Sequence, residues 1–127
     1  MRCKFPYFED RPHVPVKIEY RGRVVRFLPL LDSGADFSVF HKADALRIGL
    51  NWSKGEKIDL ENADGTSFKA RQFNLNLYFE NYKLKARICF VDSKKVSMPL
   101  LGRRDIFKHF KITINEDGRY VELQTGS

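Results

Sequence analysis

The sequence has little of what metal and cofactor chemistry needs. Its 127 residues include two cysteines, Cys3 and Cys89, and three histidines, His13, His41 and His109. Two cysteines make no disulfide framework, and their spacing to the histidines matches no zinc signature. No metal and no cofactor are therefore expected. No apolar run approaches transmembrane length, and Met1-Arg2-Cys3-Lys4 is not followed by a signal-peptide core. The expectation is a soluble, cytoplasmic chain with no membrane segment. Like charges are not gathered in blocks either. The 23 Lys and Arg outnumber the 16 Asp and Glu, for a net charge of +7, but they are interleaved with apolar residues. That is the pattern of solvated strand faces. Nucleic-acid binding rests on charge alone and is the weakest reading.

What is present is a modest core and one unusual turn. With 43% hydrophobic residues the chain is long enough for one globular domain. An apolar run from Val24 to Leu31 drives into Asp32-Ser33-Gly34-Ala35-Asp36, and the chain turns apolar again at Phe37, Val39 and Phe40. Placing a carboxylate against a strand core is costly unless it is hydrogen-bonded. Gly34 gives the backbone freedom to present Asp32 and Ser33 together. Asp, Ser and Gly are also ordinary turn residues, so the motif alone does not decide.

At these residues the chain resembles the aspartic proteases, and Asp-Ser-Gly-Ala-Asp most resembles their retroviral-type branch. A second stretch carries the resemblance further. Met98-Pro99-Leu100-Leu101-Gly102-Arg103-Arg104-Asp105-Ile106-Phe107 is similar to the family's other hallmark, an apolar pair followed by Gly-Arg and a helix. Two motifs in the right order, over about Val14 to Leu123, are far more specific than Asp-Ser-Gly alone.

The resemblance implies a mostly β, closed or orthogonal barrel-like retropepsin fold with a short C-terminal helix. It also implies an aspartic endopeptidase. One motif per chain implies a homodimer, with one Asp32 from each copy flanking the catalytic water and an extended polypeptide as substrate. Asp32 is then catalytic, with Ser33, Gly34, Ala35, Asp36 and Arg103 supporting the loop. Arg103 is expected to pair with Asp36, and Arg104 is its immediate competitor. Gly34 is expected to touch substrate backbone. Phe37 stands where many viral relatives carry an aspartate, which points to apolar subsites shared with Val39. The rival reading is a catalytically silent, dimeric peptide-binding module of the same fold.

Along the rest of the chain, residues 1–13 read as an arm that either builds an interface or packs across its own domain, and residues 14–127 as a single domain. Val14, Val16, Ile18 and Tyr20 alternate with polar residues as in a half-buried strand. Arg21-Gly22-Arg23 turns the chain, and Pro29 predicts an irregularity just before the motif. His41 to Gly49 has helical spacing, and His41 reads as a surface or capping residue. Trp52 reads as packing. Ile58-Asp59-Leu60 and Phe68-Lys69-Ala70 flank Asp64-Gly65, a strong hairpin signal. By resemblance the 58–70 hairpin is the flap, with Ala63, Asp64 and Gly65 near the substrate. Phe73–Phe79 and Leu84–Val91 form a strand pair in which Cys89 is a small buried hydrophobe. Ile112–Ile114 and Tyr120–Leu123 make a closing hairpin around Asp117-Gly118.

Overall fold

A computed structural model describes residues 1–61, 64–96 and 98–126. The chain begins with strand β1 (Arg2–Pro6). Strands β2 (Val16–Tyr20) and β3 (Arg23–Phe27) pair in full register from Val16↔Phe27 to Tyr20↔Arg23. Their turn residues, Arg21 (φ 49°) and Gly22 (φ 82°), are both left-handed, which matches the twist of a tight hairpin. The apolar run does break at Leu28-Pro29, and only Leu30–Leu31 resume as strand β4. Next come β5 (Ser38–His41) and helix α1 (Lys42–Ile48). The His41 Nδ1 accepts from the Ala43 N–H at 3.0 Å, and Asp44 accepts from the His41 N–H, so His41 caps the helix.

Strand β6 (Glu56–Glu61) and the long β7 (Ser67–Phe79) form the expected hairpin. β7 is the spine of the sheet. Its first half pairs with β6 and its second half with β2, while β8 (Tyr82–Val91) runs along most of its other edge. Strand β9 (Leu100–Leu101) then enters the sheet, and β10 (Lys111–Asn115) and β11 (Tyr120–Gln124) close the chain. The strand order is β3-β2-β7-β8-β5-β9-β4, with β6 beside β7.

The sheet is a curled half-barrel rather than a closed barrel. Its β4 end is covered by residues 12–14, through Leu31 N–H to Pro12 O (2.9 Å) and Val14 N–H to Pro29 O (3.0 Å), and does not return to β3. The expected C-terminal helix is also corrected, to a single 3-10 turn at Phe107–His109. Asp105, just before the turn, has φ 67°, and Phe110 is already extended toward β10, which leaves no length for an α-helix. The arm lies along β11 from Arg2↔Gln124 to Pro6↔Tyr120, in a three-stranded sheet β1-β11-β10.

The main core draws on most strands and on α1. Phe27, Phe40, Phe73 and Phe90 form a chain of edge-to-face contacts at 5.2–5.9 Å. A smaller apolar cluster of Leu60, Ala70, Cys89 and Val91 lies under the β6–β7 hairpin. Phe37 and Val39 pack against it, so the hairpin's base rests on the loop that carries Asp32.

Candidate active site

Asp32 sits where β4 ends and the chain turns. Its Oδ1 accepts from the Gly34 N–H at 2.9 Å, and its carbonyl accepts from Ala35 N–H at 3.2 Å. These bonds hold the half-exposed carboxylate over its own turn, while Ser33 and Gly34 remain exposed at the apex.

What fixes this loop comes from far along the chain. β9 lies between β4 and β5, parallel to the first and antiparallel to the second, with Leu100 opposite both Leu30 and Val39. The residues around and after β9 then stitch the loop down. Asp32 N–H donates to Leu101 O (2.9 Å), Arg103 N–H to Ala35 O (2.9 Å) and Arg104 N–H to Asp36 O (2.9 Å). Gly102 N–H donates to the Oγ of Ser38, whose side chain is buried (3.0 Å). A Cβ on Gly102 would lie 2.3 Å from the Phe37 carbonyl oxygen, so only glycine fits.

Ala35, Asp36 and Arg103 thus come together with Asp32, but not through the expected ion pair. Among the described residues neither Arg103 nor Arg104 forms a salt bridge with Asp36. The backbone N–H groups of both arginines are spent on loop carbonyls, and their side chains lie outside. Arg103 is exposed, and the Arg104 guanidinium stacks 4.4 Å over the Phe37 ring.

The arginine–carboxylate latch is instead Arg87 with Asp105, from Nε to Oδ2 at 2.7 Å and from Nη2 to Oδ1 at 3.1 Å. The Arg87 backbone N–H adds a third bond at 3.0 Å. Hydrogen bonding from Arg87 holds the Asp105 carboxyl below its ordinary range. Sequence reasoning missed Ser38, Arg87 and Asp105. Arg87 reads as one more charge on an alternating strand, and only the partner brought to it reveals its role.

The β6–β7 hairpin faces this loop across an open groove of about 850 Å³. Gly34, Ala35, Asp36, Phe37 and Val39 line one side, and Asp59, Leu60, Glu61 and Phe68 the other. At the hairpin tip Asp64 Oδ1 accepts from the Thr66 N–H (2.9 Å) and hydroxyl (2.6 Å), which holds its carboxyl below the ordinary range. Gly65 follows with φ 87°. Ala63, the third expected tip residue, lies outside the described residues.

The remaining tempting side chains have structural partners. Trp52 Nε1 donates to Phe90 O at 2.9 Å. Cys89 is fully buried, and burial raises its thiol to about 11. Among the described residues no three His, Cys, Asp or Glu side chains gather to hold a metal.

The overall fold is matched in a known structure. A crystal structure of a retropepsin-like aspartic protease from Rickettsia conorii superposes on 97% of this chain and 98% of its own, with a TM-score of 0.71. The two sequences are 19% identical. This chain has the retropepsin-like fold. No protein-family model and no curated protein sequence matches it. At that identity the likeness is one of retropepsin-like architecture, and the chemistry has to be argued from this chain's own residues.

Proposed function

We propose that the chain is a homodimeric aspartic endopeptidase in which the two Asp32 carboxylates, one per copy, activate the water that attacks a peptide bond. The observation that carries this reading is a carboxylate held on a glycine turn, with that turn forming one wall of a groove that the hairpin walls on the other. Ser33 and Gly34 stand exposed at the apex of the turn, free to meet the same turn of a second copy. A two-fold axis there places like residues against like.

Two carboxylates brought that close cannot both ionise cheaply, so they share one proton and titrate as a unit. The ionised member takes a proton from water, and the protonated member hydrogen-bonds to the scissile carbonyl as its oxygen gains charge. Ser33 hydrogen-bonds across the interface, and Gly34 offers its backbone to an extended peptide. The 58–70 hairpin serves as the flap, with Asp64 and Gly65 at its tip. Phe37 and Val39 supply apolar subsites, and support for the loop comes from the backbone of Arg103.

The test is cleavage of a mixed peptide library from pH ~4 to ~7, at a concentration where sedimentation shows a dimer. Asp32→Asn should abolish cleavage and leave the fold and the dimer intact. Cleavage retained by Asp32→Asn would refute the reading. An intact dimer that cleaves nothing and ignores a statine transition-state mimic would instead be a peptide-binding module.

A further inference from the structure

Away from the groove, the outer face of the sheet carries an organised field of positive charge. Residues opposite one another on neighbouring strands share a face, and successive residues alternate between faces. The register therefore builds a rung Arg26–Lys17–Tyr78–Lys83 across β3, β2, β7 and β8. The next rung on that face is Val24–Glu19–Asn76–Lys85. With strands about 4.8 Å apart, Arg26 and Lys83 stand about 14 Å from one another.

Among the described residues, none of Lys17, Arg26, Lys83 and Lys85 has an ion pair. The one carboxylate within these two rungs, Glu19, accepts a hydrogen bond from the Tyr78 hydroxyl at 3.2 Å. A notch of about 230 Å³ opens between Lys17 and Arg26, with Glu80 also on its lining. Along the free edge, Val24 is 51% exposed and Leu28, just past β3, is 38% exposed.

We propose that this face docks the chain peripherally on an anionic lipid surface, with the cations meeting headgroups and Val24 and Leu28 entering the interface. The cations come from three strands, β3, β2 and β8, and spread across the width of a four-stranded face, which fits a plane of headgroups better than a single acidic peptide. A single-stranded nucleic acid would want a free aromatic face for stacking. Tyr78 does not offer one, because the Lys83 ammonium lies 5.8 Å over its ring and its hydroxyl is tied to Glu19. The inference is independent of the proteolytic reading.

Co-sedimentation with vesicles tests it. The chain should bind vesicles of phosphatidylcholine mixed with phosphatidylserine, leave phosphatidylcholine vesicles in the supernatant, and dissociate as salt rises. Each cation near such a surface contributes about fivefold to partitioning, so Lys83→Glu with Lys85→Glu should weaken binding by at least about 25-fold. Val24→Ser with Leu28→Ser should also weaken it, with thermal unfolding unchanged in both variants. Lys54→Glu with Lys108→Glu, which makes the same change in net charge elsewhere, should retain binding. Absence of binding to the anionic vesicles would overturn the proposal, as would equal loss in the Lys54/Lys108 variant. So would tighter binding to a single-stranded oligonucleotide than to the vesicles.

Discussion

Replacing Gly102 with alanine tests the physical account of the loop most directly. The added methyl would lie 2.3 Å from the Phe37 carbonyl oxygen, 2.5 Å from its carbon and 2.9 Å from the Ala35 oxygen, where ordinary contacts begin near 3.4 Å. All three neighbours are backbone atoms, so no side chain can swing aside. The loop or β9 must separate by about 1 Å in an interior packed as tightly as a crystal. That movement stretches the bonds from Gly102 to Ser38 and from Arg103 to Ala35. Overpacking of this kind, with buried hydrogen bonds weakened, should cost about 3 kcal/mol. For a chain of this size the unfolding midpoint should fall by about 10–15 °C. Scanning calorimetry measures it. Gly34→Ala is the control, because its methyl meets only Asp32 Oδ1, at 3.3 Å, and should leave the midpoint nearly unchanged. A Gly102→Ala midpoint no lower than that of Gly34→Ala would refute the argument that this glycine locks the loop.

Two further outcomes follow from the titrating groups. The Asp105 carboxyl is held below its ordinary 3.8 by Arg87, so its contribution to stability is present above that value and is lost as pH falls through the lowered one. Asp105→Asn should therefore lower the unfolding midpoint at neutral pH, and the gap to the native chain should shrink on acidification below 3.8. A gap independent of pH would remove the ion pair as its cause. Cys89, raised to about 11 by burial, should resist iodoacetamide in the folded chain and react once it unfolds. Mass spectrometry of the labelled peptide decides, and rapid labelling of Cys89 in the native chain would contradict its burial.

Much of the architecture was legible because local chemistry and tertiary fold agree. Arg21-Gly22 and Asp64-Gly65 turn where their residue types predict, His41 caps its helix, and Pro29 breaks its strand. The alternation in Phe73–Phe79 and Leu84–Val91 maps onto paired strands. The errors fall where a local pattern yields to a distant partner. Ile106, Phe107 and Phe110 have helical spacing, yet the hydrogen bonds to Arg87 are made with Asp105 left-handed, and only a 3-10 turn follows. Arg103 is adjacent to the right glycine, yet its backbone rather than its guanidinium reaches the loop.

By itself the sequence determined the Asp-Ser-Gly turn, the apolar strand leading into it, the hairpin beyond it and the second apolar–glycine motif. These depend on residue type and short-range periodicity, which any stretch of chain expresses on its own. Only the tertiary structure decided that β9 slides between β4 and β5, that Ser38 receives the Gly102 N–H, and that Arg87 rather than Arg103 makes the carboxylate latch. It also decided that the scattered lysines and arginines of three strands fall on common rungs of one face. Those outcomes depend on register and on contacts between residues distant in the chain. A shift of one position in any strand would send the same side chains to the opposite face.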